Sequence, residues 1–226
     1  MKKLFEIINK NSFLGKPLSL LKLFKDNSPQ LPIITISREK GSGGRIIAYH
    51  VAQQMGNQWK VFHKEIVEQI AKETNLTNRL IDEIDEKNIP LINGIIADFF
   101  GKRYLNLSSY YKHLLKTLST IAHRGNAIIV GRGANFLIKN ALKVRIICDK
   151  EQRIQWMIEH EKIKKNQAIN IIEESDAKRI EYIKNLFQKD PREEHLYDLV
   201  IKTSSYLTAK EASKIIVQVA RRKFNL

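Results

Sequence analysis

The sequence is short of cysteine, of long apolar runs and of blocks of like charge, and each shortage removes a class of protein. A single cysteine, Cys148, excludes an internal disulfide framework and a cysteine-rich metal centre. It lies in the apolar run Val144-Arg145-Ile146-Ile147-Cys148, which reads as a buried strand thiol in a reducing, cytoplasmic setting. No stretch approaches the roughly 18 uninterrupted apolar residues of a membrane-spanning helix. The opening Met1-Lys2-Lys3-Leu4-Phe5 sets basic residues before apolar ones. Glu6, Asn9 and Lys10 break that run and no small-residue cleavage site follows, so no export signal is read. His50, His63 and His113 do not fall at metal-ligand spacing, and His160 and His195 read as surface residues. A GxSxG elbow, an internal repeat and a low-complexity tract are missing too.

What is present in excess is positive charge. Lys and Arg number 39 against 24 Asp and Glu, a formal net charge of +15 over 226 residues. Such a surplus suits polyanionic partners: nucleotides, nucleic acid or an anionic membrane. The basic residues are spread among acidic ones, with no block of six like charges and no aromatic interleaving. A solvated basic surface is therefore the better reading, and no nucleic-acid partner is expected. With 43% hydrophobic and 28% charged residues, the chain has the balance of a globular domain long enough to bury a core.

Residues 1–26 scatter Leu, Phe and Ile between lysines, and Pro29 and Pro32 mark a linker. Residues 1–32 are thus read as an amino-terminal appendage and linker, and 33–226 as one domain. The appendage is expected to pack on the domain or on a partner subunit, as in a homo-oligomer, ahead of lying on a membrane. From Ile33 the pattern alternates. Ile33-Ile34-Thr35-Ile36, Trp59 to Phe62, Ala127-Ile128-Ile129-Val130, Val144 to Ile147 and Leu199-Val200-Ile201 read as short buried strands. Between them run helical stripes: Ala48, Val51, Ala52 and Met55, closed by Gly56; Ile66, Val67, Ile70 and Ala71; a helix capped by Thr77; Tyr111 to Ala122; and a charged region over 150–190. A last helix opens on the capping box at Thr208 and buries Ala212, Ile215, Ile216, Val219 and Ala220. Strands alternating with helices predict an α/β fold, a parallel sheet with helices on both faces.

In such a sheet, ligands bind beyond the carboxyl ends of the strands. The first strand ends in Ser37-Arg38-Glu39-Lys40-Gly41-Ser42-Gly43-Gly44-Arg45-Ile46. Glycines let backbone N–H groups turn around an anion, and the following helix aims its positive end at the same point. Arg45 can add a forked, permanently charged donor. The alternative is a tight turn holding no ligand; strand, loop and helix in this order favour a phosphate cradle. The loop does not satisfy G-x-x-x-x-G-K-[ST]: lysine is missing after the glycines, and Ser42 is the only nearby hydroxyl for a metal. Asp149, at a strand end, reads equally as a water-mediated magnesium ligand or a turn residue.

The segment Ile34 to Arg45 resembles the opening signature of the cytidylate kinase-like family. Val61-Phe62-His63-Lys64-Glu65-Ile66, Ile128-Ile129-Val130-Gly131-Arg132-Gly133-Ala134-Asn135 and Tyr197-Asp198-Leu199-Val200-Ile201-Lys202-Thr203 resemble its later motifs in order, over about residues 33–223. The resemblance implies a three-layer P-loop nucleoside monophosphate kinase-like fold with a helical lid. By the same resemblance, Gly41, Ser42, Gly43, Gly44 and Arg45 would hold the ATP phosphates. Lys64, Glu65 and Arg132 would face the acceptor. Arg179, beside Asp176, and Arg153 would act from the lid with Arg45 in catalysis. ATP, its Mg2+ and a nucleoside monophosphate are the implied cofactor and partners. His63 stands where the family carries Asp. From the residues alone, Asp176 and Arg179 equally fit a surface ion pair.

Two functions follow. One is transfer of the ATP γ-phosphoryl to a nucleoside monophosphate such as CMP, which needs positioning and cationic charge more than covalent chemistry. The other is a nucleotide-binding or regulatory module that keeps the cradle without catalysis, favoured by the missing lysine and opposed by Arg45, Arg132 and Arg179.

Overall fold

The computed structural model describes residues 31–63, 117–118, 121–122 and 124–226. The appendage, Lys64 and Glu65, the Ile66 to Ala71 stripe, the Thr77 cap and Tyr111 lie outside the described residues. Five strands form one parallel sheet: β1 (Ile33–Arg38), β2 (Lys60–His63), β3 (Ala127–Val130), β4 (Leu142–Cys148) and β5 (Leu199–Thr203). Their spatial order is β2-β3-β1-β4-β5. The strand that comes first in the described sequence therefore sits in the centre, with Ile34 opposite both Ile128 and Leu142. That placement suits its run of β-branched residues, all buried from Ile33 to Thr35 and on to Ile36.

Side-chain alternation splits the core into two layers. Ile34 and Ile36, with Val144, Ile146 and Ile201, face helices α1 (Gly44–Met55) and α5 (Ala209–Phe224). Ile33, Ala127 and Ile129 face the opposite way, toward Leu118, Ile121 and Ala134. Ala134 begins the short α2 (Ala134–Leu137). Helices α3 (Lys150–Glu161) and α4 (Lys165–Phe187) pair through a separate small core of Ile154, Met157, Ala168 and Ile172. This hairpin is the lid expected from the resemblance.

The charged region over 150–190 is helical as expected, as two helices parted at Lys162, whose φ of 55° ends α3, while the Gln167 side chain accepts from the Lys164 N–H to start α4. Three local readings need correction. Trp59 is not in a strand: its N–H turns back to the Gly56 carbonyl, and the ring, 4% exposed, fills the core instead. In α5 the fully buried stripe is Ala212, Ser213, Ile216, Val217 and Ala220, with Ile215 and Val219 at its margin. Cys148 is half-buried rather than buried, because β4 runs two residues past the core.

Candidate functional site

The glycine loop joins β1 to α1. Gly43 caps the helix with a φ of 80°, and the first rung within it is the Ile47 N–H to the Gly43 carbonyl at 2.9 Å. Helix geometry gives the amides of the first turn no intrahelical acceptor, so they and the helix dipole converge on the loop's mouth. The loop is fastened from beneath. The Glu39 N–H donates to the Ile146 carbonyl, and the Glu39 carboxylate accepts from the Cys148 N–H at 3.0 Å. The buried Ser42 hydroxyl lies 3.0 Å from the Glu39 carbonyl and 3.4 Å from that of Ile146. Thr203 donates to the Ser42 carbonyl at 3.2 Å. Ser42 thus offers the mouth its backbone; its hydroxyl is committed to the fold. The Arg45 guanidinium, on the exposed side of α1, lies 2.8 Å from His63 Nδ1 at the end of β2.

Beside the loop, the carboxyl ends of β1 and β3, with the middle of β4, open into a cleft of about 380 Å3 roofed by α4. Five arginines line it: Arg38, Arg132, Arg145, Arg179 and Arg192. Arg145 comes from the middle of β4, where alternation turns it away from Val144 and Ile146. Its guanidinium is buried, 3.8 Å from Glu39 and 5.7 Å from the Tyr197 ring. Arg132 reaches the cleft from a turn in which Gly131, Arg132 and Gly133 all have positive φ, of 82°, 60° and 68°. For a non-glycine residue this costs about 1 kcal/mol, and glycine on each side is what makes the turn affordable. Arg132 then lies 5.2 Å over the Tyr182 ring of α4. Arg192 is held by Asp190, whose carboxyl the fork keeps well below the usual carboxylate range.

Asp176 of α4 joins lid to loop. Its Oδ1 accepts from the Lys40 N–H at 2.9 Å and from Arg179 at 2.8 Å, and its Oδ2 from Arg153 at 2.5 Å. Arg153 also donates to the Lys40 carbonyl at 3.3 Å. Burial pushes the Arg179 guanidinium down from its ordinary pKa and the Asp176 carboxylate pulls it back; an arginine so placed keeps its charge at neutral pH. Lys40 closes a second tie to the lid, its Nζ 2.8 Å from Glu161.

The structure therefore brings Arg132 and Arg179 into one cleft, sets Arg153 behind Asp176 against Gly41, and turns Arg45 toward His63. Lys64 and Glu65 fall outside the described residues. Sequence reasoning missed Arg38, Arg145 and Arg192. Arg145 carried a signal: it is a charge set within the apolar run Val144 to Cys148.

Residues 33–205 match the cytidylate kinase-like family. The chain belongs to that family. No curated protein matches it. Among solved structures, an uncharacterised protein from Eubacterium ventriosum superposes with a TM-score of 0.67 at 19% identity, over 85% of this chain and 99% of that one. A Thermus thermophilus protein follows at 0.47 and 14%, covering 84% and 98%. A shikimate kinase from Acinetobacter baumannii, solved with shikimate, follows at 0.46 and 17%, covering 84% and 93%. The family match and the parallel sheet of order β2-β3-β1-β4-β5 give the chain an α/β kinase-like fold. Among the described residues no helix is long and apolar enough to cross a membrane, and no three acidic, His or Cys residues cluster as a metal site.

Proposed function

We propose that the protein transfers the γ-phosphoryl group of ATP to a nucleoside monophosphate, CMP being the first acceptor to test. The observation that supports this most is the five-arginine cleft opening beside the amino terminus of α1. One phosphate chain fits the backbone amides of Gly41 to Arg45, and a second phosphate fits the cleft, so donor and acceptor meet at the strand ends. An acceptor phosphate oxygen then forms its bond to the γ-phosphorus as the bond to the β–γ bridging oxygen breaks and ADP leaves with that electron pair. Arg132 and Arg179 face the negative charge that builds on the moving group. Arg153, drawn in by Asp176, braces the lid. Lys64 and Glu65 complete the acceptor side in this reading.

Magnesium enters as part of MgATP. The Ser42 hydroxyl donates within the loop, toward the Glu39 and Ile146 carbonyls, and Asp149 is paired with Lys202 at 2.8 Å. Among the described residues no three His, Cys, Asp or Glu side chains cluster, so in this reading the ion would be carried by phosphate oxygens and water.

The Ser42 geometry also favours the second reading, a module that binds nucleotide without turnover. A coupled assay with ATP, Mg2+ and AMP, CMP, GMP and UMP separates the two. ADP formation with one monophosphate supports the kinase; ATP binding without ADP formation from any of them favours the module.

A further inference from the structure

The glycine loop lacks the lysine that usually follows its last glycine, yet the site has a cation where that charge is needed. Three cations flank the glycines: Arg38, Lys40 and Arg45. Lys40 extends to Glu161 at 2.8 Å, and Arg45 to the His63 ring at 2.8 Å. Arg38, the last residue of β1, lines the cleft. Its course is recorded by two glycines. A Cβ on Gly44, the first residue of α1, would stand 2.7 Å from Arg38 Cβ and 2.9 Å from its Cγ. A Cβ on Gly131, next to Arg132, would stand 2.3 Å from one terminal nitrogen of the Arg38 guanidinium. Contacts that close would force any side chain at either glycine, or Arg38 itself, to move. The arginine therefore runs from the phosphate-receiving end of α1 to the turn that carries Arg132.

From this course we infer that Arg38 is a further catalytic residue, the bridging cation between the donor's terminal phosphate and the acceptor's phosphate. The inference rests on the phosphotransfer reading above. A planar guanidinium presents several N–H donors in a fixed fork, so one face of it can bond oxygens of two phosphates at once, which a lysine ammonium does less well. Gly44 and Gly131 gain a role beyond backbone freedom: they clear the channel in which that arginine lies.

The test uses the full chain with Arg38→Met, which keeps an apolar stem but drops the fork, and Arg38→Lys, which keeps the charge. ATP affinity is read by calorimetry, and turnover is read with ATP and CMP or whichever monophosphate the parent accepts. Circular dichroism and thermal melts report folding. Arg38→Met should fold, bind ATP about tenfold or more weakly, and lose about 100-fold or more in kcat. Arg38→Lys should recover part of both. A folded Arg38→Met with ATP affinity and kcat close to the parent's overturns the inference while leaving the phosphotransfer reading standing. A lowered melting temperature with unchanged affinity and kcat also overturns it, because that is what a packing role alone would do. A parent that binds ATP without turnover on any monophosphate overturns the inference together with the phosphotransfer reading. A parent that binds no ATP overturns the inference and the reading together.

Discussion

Asp176 is the single side chain whose loss should be felt most between lid and loop. Replacing it with Asn keeps the shape and removes the charge. One oxygen can still accept, but the new amide nitrogen becomes a donor facing a donor, either Arg153 or the pair of Lys40 N–H and Arg179. Hydrogen bonds to a charged group contribute about 1.5–3 kcal/mol each. Removing one partner of a buried pair costs about 3–5 kcal/mol, because the other charge stays behind. Arg153 is such a charge: its side chain is 10% exposed, and its nearest other carboxylate, Glu39, stands 3.8 Å from Nε, too far for a hydrogen bond. Arg179 and Asp176 are 31% and 22% exposed, so water recovers part of the loss. The net expectation is a destabilisation of about 2–3 kcal/mol, or a drop of about 5–10 °C in Tm for a domain of this size. Thermal melts of Asp176→Asn against Glu174→Gln make the comparison. Glu174 lies on the same helix and pairs with Lys178, both well exposed, and its loss should leave the melt unchanged. Equal melting of the two variants would show that Asp176 is no more than a surface ion-pair partner and that lid and loop are not tied through it.

Ser42→Ala should destabilise the fold by about 1 kcal/mol, since it removes the buried hydroxyl's hydrogen bond to the loop carbonyls, and should leave ATP affinity intact; a folded variant without ATP binding would mean that the hydroxyl reaches the nucleotide. Arg179→Ala should lower kcat and kcat/KM together with KM for ATP little changed, because a lid cation meets the phosphoryl group most strongly in the transition state; a rise in KM alone would make Arg179 a plain binding residue. Asp198 accepts from the Lys143 N–H and from Lys223, and although burial pushes its carboxyl up, these partners hold it below its ordinary value. A depressed folded pKa stabilises above the unfolded value of about 3.9 and loses that contribution as pH falls through the folded value. Asp198→Asn should therefore melt below the parent at pH 7, with the gap closing under about pH 4; a gap constant down to pH 3 would contradict this.

The strands and their layers were legible because burial on both faces writes itself as runs of β-branched residues. Ala127 to Val130 is a strand in sequence and in structure alike, and the Thr208 cap does accept from the Glu211 N–H. What was not legible depends on direction rather than composition. Nothing in the spacing says that Lys162 takes a left-handed conformation and breaks one charged helical region into two, or that Asp176 reaches the backbone of Lys40, 136 residues away. The glycines of the loop read as backbone freedom, which Gly41 and Gly43 bear out with positive φ. Their other use could not be read, because it needs the side chain that fills the space.

That space also explains why the site could be located from sequence while its cations could not be ranked. Arg45 stands where the pattern places the charge, immediately after the glycines. Its position on the first turn of α1 fixes its backbone at the mouth, but the helix carries the side chain outward to His63. Arg38 precedes the loop and looks like an ordinary strand end, yet the parallel pairing of β1 with β3 brings Ile36 beside Val130, and the Ile36 carbonyl accepts from the Gly131 N–H at 3.0 Å. Two residues further along β1, Arg38 must then lie across the turn that follows β3. A cation's sequence distance from the glycines is thus a poor guide to its distance from the phosphates; the strand register decides.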